Sequence, residues 1–244
     1  MRLLIDAGNT RLKWQLREGD RIVARGAHLL NESGWLGEIA AYARHIQHVA
    51  VSTVVSEAKR LELVSALADL AISDVHFYWS EEEREGLHNS YSEVHRMGAD
   101  RWHVMVGGWS RKPGGFAVID AGSAITVDYV SDNGHHHGGY ILPGKHMMLR
   151  SLQQDAARIN FESLDADANL PGKSTTECVQ HGLVWLWQGV IGQVISDCRE
   201  FGLSQVYCTG GDGQALMAAG LPAEYEPDLV LEGLAVVDAG ASGQ

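Results

Sequence analysis

Two short segments carry residues whose types and spacing suit phosphate chemistry. Asp6-Ala7-Gly8-Asn9-Thr10 follows the apolar run Leu3-Leu4-Ile5, and Asp120-Ala121-Gly122-Ser123-Ala124 follows Phe116-Ala117-Val118-Ile119. Each reads as a buried strand ending in a carboxylate, then a glycine turn, then an amide or hydroxyl residue. Such a turn offers backbone N–H groups to phosphate oxygens. Its aspartate offers the oxygen ligand that Mg²⁺ takes beside phosphates. A single D-x-G-x-T is most often an ordinary turn. Two copies, each followed by a further strand, point to two related domains holding one nucleotide between them.

The elements that must position these turns follow from periodicity. Strands are expected at 2–6, 12–16, 21–29, 49–54 and 75–79, with Glu18-Gly19-Asp20 as a hairpin turn. Helices are expected at 35–44 and after Ser56, where Leu61, Val64, Leu67, Ala68 and Ala71 share one face. The second half repeats the order, with strands at 116–120, 125–130, 139–142 and 206–209 and helices at 145–159, 177–201, 214–219 and 229–237. This duplicated α/β order matches the ribonuclease-H-like unit of the actin/Hsp70/sugar-kinase superfold, an analogy of fold that leaves function open. Arg111-Lys112-Pro113-Gly114-Gly115 breaks periodicity, so the domains are expected at 1–113 and 114–244.

The chain has 244 residues, 45% of them apolar, enough for one large core or two small ones. Its net charge of −12 argues against a nucleic-acid partner, which selects a basic face. It leaves room for an anionic nucleotide, because local backbone dipoles and Mg²⁺ act at closer range than net charge. Cys178, Cys198 and Cys208 are odd in number and fit neither a zinc spacing nor a disulfide framework, so they read as reduced thiols of a cytoplasmic protein. No signal peptide and no membrane-spanning run is expected.

Five motifs in order make a more specific likeness: Asp6-x-Gly8-Asn9-Thr10; Gly98-Ala99-Asp100-Arg101; Asp120-x-Gly122-Ser123-Ala124-x-Thr126-x-Asp128; Gly138-Gly139-Tyr140-Ile141-Leu142-Pro143-Gly144; and Thr209-Gly210-Gly211. Over almost its whole length the chain resembles the type III pantothenate kinases, which use ATP to phosphorylate pantothenate at the first step of coenzyme A synthesis. It departs from them at Ser123, where the family usually has threonine; both carry a hydroxyl.

The resemblance implies a role for each matched position. Asp100 would be the catalytic base that takes the proton of the acceptor alcohol, at a helix start that favours a carboxylate. Gly98, Ala99 and Arg101 would bind pantothenate with it, the guanidinium pairing with the substrate carboxylate, and Tyr91 would line the same pocket. ATP would be held by Asp6, Ala7, Gly8, Asn9, Thr10 and Lys13, by Gly122, Ser123, Ala124 and Thr126, and by Gly210 and Gly211, where a Cβ would intrude on the adenosine. Asp6 would bear Mg²⁺, and Asp128 would help hold a monovalent cation, K⁺ or NH₄⁺. A threonine near Thr175 would reach the pantothenate site of a neighbouring subunit, implying a homodimer with its substrate site near the interface.

Taken without the resemblance, several of these residues have plainer readings. Asp100 would be a helix cap, Arg101 a surface charge, Lys13 and Asp128 solvent-facing strand residues. Any of Ser174, Thr175 and Thr176 could cap the long helix, and the register among them stays open. His135-His136-His137 follows a hairpin turn, and adjacent histidines on an extended segment point to opposite faces, a poor chelate. Trp185 and Trp187 suit a dimer-facing or core surface. Two other functions remain in view: a nucleotide-binding regulatory accessory protein, which would not need the Gly98–Arg101 motif, and a kinase for another small hydroxylated acceptor.

Overall fold

Short apolar strands build the first sheet, the central pair buried almost throughout. β1 (Arg2–Ala7), β2 (Arg11–Glu18) and β3 (Arg21–Leu29) run antiparallel as a meander. After α1 (Gly34–Ala40), β4 (His48–Thr53) returns parallel to β1; after α2 (Glu57–Ala68), β5 (Val75–Tyr78) adds parallel to β4. The sheet order is β3-β2-β1-β4-β5. The structure, a computed structural model, describes residues 1–30, 32, 34–111, 114–156, 159–162 and 170–241.

The two faces of this sheet bury different partners. Leu3, Ile5, Val49, Val51, Val75 and Phe77 face Ile39 of α1 and Leu63 and Leu67 of α2. Each fully buried Leu or Ile there contributes roughly 1.5–3 kcal/mol. A short two-stranded ribbon, β6 (Glu83–Arg84) with β7 (Leu87–His88), leads to α3 (Ala99–Arg111).

The second sheet repeats the first. β8 (Phe116–Ala121), β9 (Ala124–Val130) and β10 (His136–Pro143) form an antiparallel meander. α4 (Lys145–Asp155) and α5 (Thr175–Glu200) follow, then β11 (Gln205–Thr209) parallel to β8, α6 (Gly213–Ala218), and β12 (Glu224–Tyr225) parallel to β11. The order, β10-β9-β8-β11-β12, is that of the first sheet. Ala117, Ile119, Ile125, Val127 and Tyr129 pack under Trp187, Ile191, Val194 and Cys198, an α5 stripe at helical spacing.

The last helix, α7 (Leu229–Ala241), departs from the sequence reading, which gave it to the second half. The chain divides into Met1–Pro113 with Asp228–Gln244, and Gly114–Pro227. Leu231, Leu234 and Ala235 of α7 cover Leu4, Ala50 and Tyr78 on the second face of the first sheet. α7 also crosses α3 at two glycines: a Cβ on Gly107 would overlap the Leu229 carbonyl, and one on Gly233 the His103 carbonyl. Only paired glycines let the two backbones approach so closely. α4 ends at Asp155, short of the expected 159; residues 157 and 158, and Lys112 and Pro113 of the expected seam, lie outside the described residues. Among the described residues no helix is long and apolar enough to cross a membrane.

Candidate active site

In the first unit the Asp6 turn closes the β1–β2 hairpin. The Gly8 N–H donates to the Arg11 carbonyl at 2.9 Å, leaving Asn9 and Thr10 exposed at the tip. Asp6 is half-buried, and its register partners are Lys13 on β2 and Ser52 on β4. Cross-strand partners share a face, so Lys13 stands beside Asp6 rather than on a separate solvent side.

The Gly98–Arg101 motif reaches the same end of the unit. A Cβ at Gly98 would touch Val54 Cγ1 at 3.4 Å, and the Val54 N–H points to the Ala7 carbonyl at 3.4 Å. Deeper in α3, buried His103 has Nδ1 2.7 Å from Ser52 Oγ, tying the helix to β4 next to Asp6. Asp100 is the second residue of α3, two positions past the cap position at Gly98, so the bare cap reading fails; its Oδ1 accepts the Arg101 N–H at 2.8 Å. Arg101 is no surface charge. It is 4% exposed, donates from Nη1 to Tyr91 Oη at 2.6 Å, and its guanidinium stacks over the Tyr91 ring 5.5 Å from the centroid. Tyr91 is placed in turn by Asn89, whose Oδ1 accepts the Tyr91 N–H at 3.0 Å and whose Nδ2 donates to the Glu81 carbonyl at 3.1 Å. Asn89 and Glu81 lack any local motif, and the sequence reading passed over them.

In the second unit the Asp120 turn closes the β8–β9 hairpin, with the Gly122 N–H donating to the Ala124 carbonyl at 2.9 Å. Asp120 and Thr126 are register partners and half-buried; Ser123 is exposed. Gly210 packs on this turn with φ at +89°, a left-handed conformation that disfavours side chains. A Cβ there would overlap the Ala121 carbonyl and Asp120 Oδ1. Tyr225 Oη donates to the Gly210 carbonyl at 3.0 Å, and the Asp212 N–H to the Ala121 carbonyl at 2.8 Å, so the Thr209-Gly210-Gly211 segment and the turn are built as one surface.

Asp128 is not at that surface. It lies two steps further along β9, opposite Val118, fully buried, with His136 Nε2 3.0 Å from its Oδ1. The solvent-facing alternative for Asp128 fails. Period two placed Thr126 and Asp128 on one face, but the burial of Asp128 comes from tertiary packing. The carboxylate that does stand at the turn is Asp120, which the sequence reading offered as a Mg²⁺ ligand of the turn but not for the monovalent cation. Of the three histidines, His136 is buried on Asp128, while His135 and His137 are exposed.

At the start of α5 the register resolves. Ser174 is the cap, its Oγ accepting the Glu177 N–H at 3.2 Å, and Glu177 Oε2 accepts the Lys173 N–H at 2.7 Å. Thr176 Oγ1 accepts the Glu162 N–H at 3.4 Å. Thr175 is left exposed, lining an open groove of about 880 Å³ with Met148, Leu152, Cys178, Leu183 and Leu186. Trp187 is in the core, but Trp185 is 73% exposed. The three cysteines are free thiols, Cys198 and Cys208 buried.

The sequence profile described as type III pantothenate kinase matches residues 2–197. A relative of that name from Marinobacter nauticus is 50% identical over 234 residues, 96% of this chain and 96% of its own. One from Hahella chejuensis, with the same name, is 34% identical, covering 96% of this chain and 95% of its own. Among solved structures, the activator of the 2-hydroxyisocaproyl-CoA dehydratase from Clostridium difficile aligns with a TM-score of 0.54 at 14% identity, over 99% of this chain and 96% of that one. That last likeness is one of fold, and it sets the two repeated sheets within the actin/Hsp70/sugar-kinase superfold.

Proposed function

The chain belongs to the type III pantothenate kinase family, and from that premise we propose how its own residues carry out the ATP-dependent phosphorylation of pantothenate that opens coenzyme A synthesis. The observation that carries the reading is Asp100 beside buried, Tyr91-anchored Arg101, at the same end of the first unit as the Asp6 turn. A nucleotide switch without an acceptor has no use for that pair.

Arg101 presents a planar fork suited to a carboxylate and orients the acid end of pantothenate; Gly98 and Ala99 form the wall beside it. Asp100 accepts the proton of the primary hydroxyl as that oxygen attacks the γ-phosphorus of ATP. The bond from the γ-phosphorus to the β–γ bridging oxygen breaks and ADP leaves. Backbone and side-chain donors of Asn9, Thr10 and Lys13, and of Gly122, Ser123, Ala124 and Thr126, bind phosphate oxygens. Gly210 and Gly211 allow close approach of the adenosine.

Phosphoryl transfer of this kind draws on a divalent cation to offset phosphate charge. Asp6, a half-buried oxygen donor at a strand end, suits Mg²⁺. For the monovalent cation, K⁺ or NH₄⁺, we assign Asp120 in place of Asp128, because Asp120 stands at the phosphate turn and Asp128 is buried on His136. Trp185 and Leu186 are exposed side by side on α5, a place where a second chain can pack. A second copy of the chain covers it, and the exposed Thr175 then serves the partner's substrate site.

ADP release, measured with and without pantothenate in potassium and then sodium buffer, tests this reading. Pantothenate-dependent turnover that requires potassium or ammonium supports it. ATP hydrolysis indifferent to pantothenate favours another acceptor, and nucleotide binding without turnover favours a regulatory role.

A further inference from the structure

At the opposite end of the first sheet from the Asp6 turn, three potential ligands converge that the kinase chemistry does not use. His48 opens β4, Asp74 precedes β5, and His76 lies on β5. His48 Nδ1 is 2.7 Å from Asp74 Oδ2, and His76 Nε2 is 2.8 Å from Asp74 Oδ1. One ligand atom from each of the three falls within 4.8 Å of the others. Five residue steps along β4 lead from His48 to Thr53 beside the turn, roughly 17 Å at strand rise, so the cluster stands apart from the phosphate site.

We propose that His48, Asp74 and His76 form a binding site for one borderline divalent transition metal, with Zn²⁺ as its simplest occupant. Two imidazoles and one carboxylate suit Zn²⁺, Co²⁺ and Ni²⁺ rather than Mg²⁺ or Ca²⁺, which select all-oxygen sets.

A second observation points the same way. His48 Nε2 is 2.6 Å from Asp238 Oδ1, and Asp238 is completely buried on α7. Tyr78 Oη donates to that carboxylate at 2.9 Å and Arg2 Nη1 at 3.1 Å. A carboxylate that receives one ring N–H fixes the tautomer and turns the other nitrogen outward as a ligand, the usual support behind a metal-bound histidine. The rings of His48 and His76 stack with centroids 4.8 Å apart, so both present their edges to Asp74.

Tetrahedral ligands at metal–ligand bonds of about 2.0–2.1 Å stand ~3.3 Å apart. The Asp74 contacts therefore open by about half an ångström, and the widest separation of ligand atoms, up to 4.8 Å, closes by about 1.5 Å, when the metal displaces the bridging protons. Asp74 and His76 are exposed and move at little cost, and solvent supplies the remaining position. The metal ties the β4–β5 edge to α7 through Asp238.

The test uses the full chain, stripped of metal with a chelator and returned to Mg²⁺ buffer. ZnCl₂ titration by calorimetry is expected to show one ion per chain in the presence of excess Mg²⁺, and CoCl₂ to give visible ligand-field absorbance. His76→Ala and Asp74→Asn are surface changes that leave melting of the metal-free chain near wild type; each is expected to weaken Zn²⁺ at least about tenfold and to abolish the cobalt spectrum, with pantothenate kinase turnover unchanged. Zinc binding that neither variant weakens, or no stoichiometric binding in excess Mg²⁺, overturns the proposal.

Discussion

His103 sets a pH dependence that can be worked out in advance. It is fully buried, bonded through Nδ1 to Ser52 Oγ at 2.7 Å, and its Nε2 has no hydrogen-bond partner among the described residues. Burial pushes its pKa from 6.5 down to about 3. The folded protein therefore keeps the ring neutral, while the unfolded chain takes up a proton below 6.5. Between those two values the unfolded state holds more protons, so stability falls as pH falls and is untouched above the window. The slope is about 1.4 kcal/mol per pH unit, and the loss from pH 7.5 to 4.5 integrates to about 2.7 kcal/mol. His103→Asn keeps a polar atom near the Nδ1 position and cannot titrate. At neutral pH the variant is less stable, because it leaves a cavity. Its deficit should shrink by about 2.7 kcal/mol at pH 4.5. Urea melts followed by tryptophan fluorescence measure this difference, with the fully buried Trp102 as a neighbouring reporter. A stability difference that stays constant from pH 7.5 to 4.5 refutes the claim that a neutral imidazole ties α3 to β4.

Other outcomes follow from the same geometry. Arg101→Lys keeps the charge but loses the fork stacked on Tyr91, and steady-state kinetics should show KM for pantothenate raised about tenfold to a hundredfold with kcat little changed. Gly210→Ala forces a Cβ onto the Ala121 carbonyl at φ +89°; melting should report about 1–3 kcal/mol of destabilisation, and equilibrium nucleotide titration a weaker ATP affinity. Trp185→Glu places a charge on a side chain 73% exposed in one chain; light scattering should show a dimeric mass for wild type and a monomeric one for the variant, and equal masses for the two would remove the proposed interface.

Much of the fold was legible because the strands are short apolar runs separated by turn residues. Arg21–Leu29 lies between the Glu18-Gly19-Asp20 turn and a polar stretch, and the strand has those bounds. The α5 residues Trp187, Ile191, Val194 and Cys198 announce a helix by spacing alone. α3 was readable only at its start: its polar side is marked by Asp100, Arg101, His103, Ser110 and Arg111, but Arg101 and His103 on that side are buried rather than solvated. The allegiance of α7 depends on Gly107 meeting Gly233, a tertiary pair that no local pattern records. At the candidate site the glycine turns and the Gly98–Arg101 motif were readable because backbone and charge requirements are local. The burial of Asp128 on His136, and the Glu81–Asn89–Tyr91 chain behind Arg101, were not, because each joins residues whose types alone predict exposure.

The measurement closest to the central claim is pantothenate phosphorylation by wild type and by Asp100→Asn, read as phosphorylated product by mass spectrometry with ATP, Mg²⁺ and potassium present. Asparagine fills the same volume and still accepts the Arg101 N–H but cannot take the hydroxyl proton, so turnover should fall by about 10²–10⁴-fold with melting and ATP binding retained. Near-normal product formation by the variant would contradict the assignment of Asp100 as the base.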